Sequence, residues 1–460
     1  MASVEWGLGG RGPLLTLRGK INRLGCVRMN IVRHTDPDFA AQIERALGAS
    51  SLFDPVIDAR TRTILDDVRA RGDTALGELT ERFDGAKLAP DEQRVTSAEL
   101  LGASLAATPA LRAAVSEAHK NIAAFARRSR RRGWSARNSH GASVGEKFDP
   151  FTRVGIYIPG GTAPLVSTAL MTITLAQVAG CPEIVVCTPP GRDGSVNPAL
   201  LFAANTAGAT EIYKVGGAQA VAAMSLGTAT IGRVQKVFGP GNAYVVAAKR
   251  LLVGHVAIDL LPGPSEVCVI ADDTAKPENI AADLLAQAEH GSGHERVWML
   301  TPSKTLITAV QKAMAKQLPK LGRREYIEKA LAANGWLIQV PDLAAAVALA
   351  NRLAPEHCEV MTRQARSLSE GLLTSGAIFL GGDSPTVLGD YVAGPSHTLP
   401  TGGAGASFAG LTVDQFQRRT SVVEYTRPAL KKALKAVQMF AQLEGLDAHG
   451  RSAAVRLEKP

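Results

Sequence analysis

Residues 153–161 read Arg-Val-Gly-Ile-Tyr-Ile-Pro-Gly-Gly. A short apolar run ending at Ile158 stops at Pro159-Gly160-Gly161, and a helical stretch over 165–179 follows. The unit recurs downstream. A strand over 183–187 precedes a helix over 198–207. A strand over 211–215 runs into Gly216-Gly217 and a helix from Ala218. A strand over 236–238 meets Gly239-Pro240-Gly241-Asn242 and a helix from Ala243. Apolar strands alternating with helices predict an open parallel sheet covered on both faces. The glycine turns fall at strand C-ends, where such sheets bind ligands. Backbone N–H groups at the following helix N-termini suit an anion such as a dinucleotide pyrophosphate. One glycine pair is explained by a tight turn alone; three in succession shift the reading toward a nucleotide. None spells the dinucleotide fingerprint, so these residues alone do not name the cofactor.

A second α/β region follows. Strands are expected over 266–270, 297–300, 336–340 and 377–380, with helices over 277–290 and 342–354, the latter stopped by Pro355. A Gly/Pro-rich loop is expected over 389–410. A last helix over 427–444 carries Leu430, Leu434, Val437 and Ala441 on one face. Upstream, 55–82 and 97–127 read as amphipathic helical regions. Residues 1–28 are Gly- and Arg-rich without periodicity. Their Gly7–Gly12 stretch spells GxGxxG, but no strand precedes it and no βαβ unit frames it, so it is a decoy. The segment reads as a disordered extension, or as a stretch upstream of a working start at Met29.

The chain is 460 residues with 46% hydrophobic content, enough for two or more cores and too apolar for wholesale disorder. No apolar run is long enough to span a membrane. The net charge of +9 is localised. Residues 1–28 carry four of those charges and the arginines of 127–132 carry five, so the remainder is neutral. A distributed nucleic-acid face is not supported. The five cysteines, Cys26, Cys181, Cys187, Cys268 and Cys358, show no CxxC and read as reduced thiols of a cytoplasmic protein.

Several polar groups stand in chemical-looking contexts. Gln287 and His290 share a face at the end of one predicted helix. Glu356-His357 follows another. Asp390 and His397 lie in the Gly/Pro-rich loop, and Glu444 and His449 at the last helix end. Taken singly, each reads as a cap, an Asx turn or a surface contact. Taken together they offer nitrogen and oxygen donors without thiolate, plus a base. Such a set suits zinc, manganese or cobalt. Their spacing is not a known short metal signature.

The segments Val154–Gly161, Val215–Ala220, Phe238–Asn242, Gly263–Glu266, Gln287–Gly291, Pro355–His357, Gly389–Tyr391 and Leu399–Gly403 together resemble the histidinol dehydrogenase family. They occur in that family's order, and the likeness runs from about Arg60 to His449. It implies two Rossmann-like open parallel-sheet α/β domains, of the histidinol dehydrogenase and aldehyde dehydrogenase kind, with small helical terminal parts. The expected boundaries are a helical arm over 29–49, a split domain over 50–154 plus 264–405, an inserted NAD-binding domain over 155–263, and a C-terminal helical arm over 406–460 crossing a dimer.

The resemblance further implies NAD-dependent oxidation of L-histidinol to L-histidine through the aldehyde, with one zinc per subunit, in a cytoplasmic homodimer with a shared active site. Neither nucleic acid nor membrane is expected as a partner. The implied zinc ligands are Gln287, His290, Asp390 and His449, the last from the partner subunit. Ser265, Glu444 and His397 would contact substrate. Tyr157, Gln219 and Asn242 would contact NAD, and Glu356 with His357 would be the acid/base pair. His294 is an extra histidine in the loop after Gly291. A paralogue acting on another small alcohol, such as a sulfonated diol, is the alternative within the class. An RNA- or polyanion-binding protein using the basic segments, or a catalytically dead scaffold, are the alternatives outside it.

Overall fold

The structure, a computed structural model, describes residues 27–48, 53–160 and 164–458. The expected disorder of 1–28, the Gly7–Gly12 decoy and Cys26 fall on or largely on residues outside that description.

Three sheets organise the chain. A five-stranded parallel sheet runs in the spatial order Glu211–Tyr213, Glu183–Cys187, Arg153–Tyr157, Lys236–Phe238, Ala257–Ile258. Alternation along each strand feeds two cores. Val154 and Ile156 pack toward helices Val166–Ala179 and Pro198–Ala207. Tyr157, Val185 and Cys187 pack toward helices Gly217–Leu226 and Ala243–Leu251. The strand order reverses direction between Arg153–Tyr157 and Lys236–Phe238. A ligand crevice opens at such a reversal, beyond the strand C-ends.

A six-stranded parallel sheet runs in the order Asn30–Arg33, Gly335–Gln339, Arg296–Thr301, Glu266–Ala271, His357–Met361, Ala377–Leu380. Val267, Val269 and Met361 face helix Pro277–Ala288, whereas Cys268, Ile270, Cys358 and Val360 face helix Leu343–Leu353. The third sheet is antiparallel: Gln417–Glu424 pairs with Ser143–Pro150, which pairs with Trp134–Arg137. None of its strands was expected from the sequence, because their partners are far apart in the chain.

The N-terminal region differs from expectation in two ways. Asn30–Arg33 is not helical; it adds an edge strand to the six-stranded sheet by pairing with Gly335–Gln339. The helices Pro55–Arg71 and Asp73–Asp84, expected to belong with 264–405, lay Leu65, Val68, Leu76 and Leu79 on the core of the five-stranded sheet. Gly72, at φ 55, breaks what reads as one helix into two. Pro109 does the same downstream, giving Ser97–Ala106 and Pro109–Ser129. The arginine run begins in the last turn of Pro109–Ser129, where positive charge complements the helix dipole. Among the described residues no helix is long and apolar enough to cross a membrane.

Candidate active site

A cavity of about 290 Å³ lies between the C-terminal edge of the five-stranded sheet and the N-terminal edge of the six-stranded one. Ser265, Gln287, His290, Glu356, His357, Asp390 and His397 all line it. Pro159, Pro240 and Gly241 close it from the five-stranded side. A larger groove of about 1420 Å³ holds Tyr157, Gln219 and Asn242. Pro159 lines both spaces, so they adjoin there.

His357 opens its strand and is buried. Its Nδ1 lies 2.9 Å from the Glu266 carbonyl oxygen, which only accepts. Nδ1 therefore carries the proton and Nε2 keeps its lone pair. Burial lowers the pKa of His357 to about 4, so the ring is neutral at physiological pH. Nε2 stands 3.7 Å from Asp390 Oδ1. The Phe379 ring packs against the imidazole with centroids 5.9 Å apart.

Glu356 is buried beside it, its Oε2 accepting from the Glu266 N–H at 2.8 Å. Burial raises its carboxyl well above the usual carboxylate range. Ala354, two residues before, ends helix Leu343–Leu353 with φ 45, a left-handed conformation unusual for a residue with a side chain. That turn, followed by Pro355, swings Glu356 and His357 into the cavity.

Two expected placements are corrected. Helix Pro277–Ala288 ends before His290, so Gln287 is helical and His290 lies beyond the cap, with Gly291 (φ 95) starting the next loop. Asp390 is not in a loop but on a short helix, Thr386–Tyr391. Gly389 lets that helix rest on Phe379; a Cβ there would fall 2.7 Å from the ring. Gln287 is buried, and its Nε2 meets no partner among the described residues. Desolvation lowers the pKa of His290 and lifts Asp390 to about 6. His397 is likewise held neutral, burial taking it to about 4, with Nε2 3.4 Å from Thr168 Oγ1.

Glu444 and His449 do not join this cavity within the single chain. Glu444 caps helix Arg427–Leu443, and His449 sits on a further helix, Asp447–Ala454; both are exposed. His294 is also exposed, and the loop around it is tied down instead by the Glu295 carboxylate, which accepts from Ser292 N and Gly293 N. Among the described residues no group of three or more His, Cys, Asp or Glu is placed to hold a metal by itself.

In the groove, Tyr157 ends its strand and its hydroxyl accepts from Gly217 N at 3.0 Å. Burial pushes its pKa up to about 12. Asn242 caps helix Ala243–Leu251 by accepting from Tyr244 N and Val245 N. Gln219 is buried, with Nε2 unpartnered among the described residues. Gly239 has φ 109, and a Cβ there would lie 2.1 Å from the Tyr157 carbonyl oxygen, so only glycine lets this turn reach the strand end.

Glu266 was missed as a site residue, although it opens an otherwise apolar strand. Its Oε1 accepts from Gly402 N and from Arg296, joining the Leu399–Gly403 segment to the floor of the cavity. Asp283 and Glu359, both buried near the same elements, were also missed.

The histidinol dehydrogenase family model matches residues 50–457. A histidinol dehydrogenase of Geobacillus kaustophilus is 45% identical over 424 residues, covering 91% of this chain and 99% of that protein. One of Heliobacterium mobile is 44% identical over 413 residues, covering 90% and 96%. The crystal structure of histidinol dehydrogenase from Elizabethkingia anophelis superposes with a TM-score of 0.89 at 34% identity, covering 95% of this chain and 99% of that one. The chain belongs to the histidinol dehydrogenase family, NAD-dependent oxidoreductases that oxidise histidinol in histidine biosynthesis.

Proposed function

We propose that the cavity at Glu356 and His357 carries both oxidations of L-histidinol, with zinc held by Gln287, His290, Asp390 and the partner subunit's His449. The convergence of seven expected site residues on one cavity that adjoins the Tyr157–Gln219–Asn242 groove is the observation that carries this reading. The donor set fits zinc: a neutral imidazole, a carboxylate and the oxygen of a buried amide, with no thiolate. The single chain supplies three donors, and the exposed His449 is free to serve a neighbour. Exposed Val423, Phe440, Leu443 and Leu446 support a C-terminal arm that packs against a second copy. The strands of the five-stranded sheet lie within 153–258, while helices Pro55–Arg71 and Asp73–Asp84 pack on that sheet from outside the range. Four described cysteines, all free and buried, fit a cytoplasmic setting.

The balanced reaction consumes one alcohol, two NAD⁺ and one water, and yields the carboxylate, two NADH and three protons. Zinc, when bound, supplies a Lewis acid that orients the substrate, and NAD in the groove supplies the hydride acceptor. His357 Nε2 takes the hydroxyl proton as hydride leaves the carbinol carbon. Glu356, a stronger base than an ordinary carboxylate once ionised, takes a proton from the water that adds to the aldehyde. His357, after releasing its first proton to solvent, takes the hydrate's hydroxyl proton in the second oxidation. Ser265, His397 and the partner subunit's Glu444 hold the substrate's polar ends, and Pro159 keeps the two spaces in register.

The shared site is tested by subunit mixing. His357→Asn and His449→Ala homodimers should each be nearly inactive. Mixed dimers of the two should regain activity, since one of their two sites has both residues intact. No recovery on mixing, with subunit exchange verified, would contradict the shared site.

A further inference from the structure

The six-stranded sheet contains a second acid pair that the mechanism does not use. Asp283 lies on helix Pro277–Ala288, one turn before Gln287, and is 7% exposed. Glu359 lies two residues after His357, on the same face of strand His357–Met361, and is 1% exposed. The two carboxyl groups face each other across the space between helix and strand, close enough to hydrogen-bond once one of them is protonated. Glu359 Oε1 accepts from the Thr386 N–H at 2.8 Å. Its Oε2 is fully buried and meets no N–H or O–H donor among the described residues. Two buried carboxylates in contact, without a cation between them, repel strongly; one proton held between them turns the repulsion into a hydrogen bond. Burial raises both groups, Asp283 to about 6, in the direction that retention of that proton requires.

This bridge joins three elements, and each presents a residue to the cavity. The helix bearing Asp283 carries Gln287 and leads to His290. The strand bearing Glu359 begins with His357. Thr386 starts the short helix that carries Asp390. A second tie runs parallel to it, Asn279 Nδ2 donating to the Gly382 carbonyl at 2.9 Å. We propose that Asp283 and Glu359 are positioning residues. A proton shared between their carboxyl groups, together with the Thr386 N–H, fixes the spacing of Gln287 and His290 against Asp390 and so sets how tightly the site holds its metal.

The inference rests on the zinc reading, and the test separates the two. Zinc affinity is measured by competition with a chromogenic chelator on purified dimers of the wild type, Asp283→Ala, Glu359→Ala and Glu359→Gln, with urea midpoints for each. Glutamine at 359 donates an amide N–H to Asp283 and still accepts from Thr386 N, so Glu359→Gln should bind zinc within about threefold of the wild type. The alanine variants should bind at least tenfold more weakly, the range seen when outer partners of metal ligands are removed. Alanine variants that lower the urea midpoint yet bind zinc like the wild type would overturn the proposal and leave the pair a packing feature. Glu359→Gln losing as much affinity as Glu359→Ala would overturn the shared proton. A wild type that binds no zinc would overturn the metal reading itself, and this inference with it. Should the alanine variants not fold, the infrared carbonyl band of a buried protonated carboxyl, present in the wild type and absent from Glu359→Gln, serves instead; its absence from the difference spectrum would overturn the proposal.

Discussion

Lys249→Met gives the sharpest test of how the proposed cofactor groove is built. Lys249 and Asp259 form an ion pair with both side chains wholly buried. Lys249 Nζ also donates to the Gly239 carbonyl at 2.9 Å, and Asp259 accepts from Gly239 N at 2.8 Å. The pair thus grips both polar groups of the glycine that leads to Asn242. Methionine matches the lysine stem in volume, so the cavity contribution is small. What remains is an uncompensated buried carboxylate, which costs about 3–5 kcal/mol when its partner is removed. That is a large share of the roughly 5–15 kcal/mol that holds a domain together. Urea denaturation followed by circular dichroism reads the loss. Steady-state kinetics should show KM for NAD raised about tenfold or more while KM for L-histidinol holds, a difference of about 1.4 kcal/mol in cofactor binding. Adding Asp259→Asn removes the stranded charge and should restore about 2 kcal/mol or more of the lost stability, a coupling of the size seen within one network. A Lys249→Met protein within 1 kcal/mol of the wild type, with KM for NAD unchanged, would refute the argument.

Three further outcomes follow from the geometry. His357→Asn should lower kcat about 10²–10⁴-fold, because it removes the base while zinc binding stays intact; turnover within tenfold of the wild type would exclude it as the base. On the proposed mechanism the second oxidation needs Glu356 ionised. Its raised pKa means that activity climbs as pH rises through that value and is lost below it, whereas His357, lowered to about 4, is already neutral there. Glu356→Gln should therefore flatten the climb, and a pH profile that keeps its shape would point to another group. Cys358→Ala should keep activity within a few-fold, since this thiol faces the core beside Cys268, opposite to His357 and Glu359; loss of the second oxidation alone would instead indicate a thioester route.

Much of the fold was legible because its signals are local. The apolar strands with Gly turns at 153–161, 211–217 and 236–242 declare both the parallel sheet and its ligand edge. The short-range pattern could not show that Asn30–Arg33 pairs with Gly335–Gln339, or that Gln417–Glu424 pairs with Ser143–Pro150. Those pairings are decided by partners hundreds of residues away. The same division runs through the site. Motif residues such as Glu356 and His357 were readable, whereas Glu266, Asp283 and Glu359 were not. An acid in an apolar strand or on a helix looks like a solvated one until the fold buries it. Nor did the spacing of Gln287, His290 and Asp390 predict that one stands on a helix, one beyond its cap and one on a separate short helix.

The central claim is that one zinc-dependent cavity performs both oxidations. The most direct measurement is NADH formed per L-histidinol consumed, using protein stripped of metal, then restored with zinc, beside His290→Ala. The account predicts two NADH per L-histidinol in the zinc-restored protein, with little turnover in the stripped protein or the variant. Full turnover without metal, or one NADH per substrate with the aldehyde released, would contradict it.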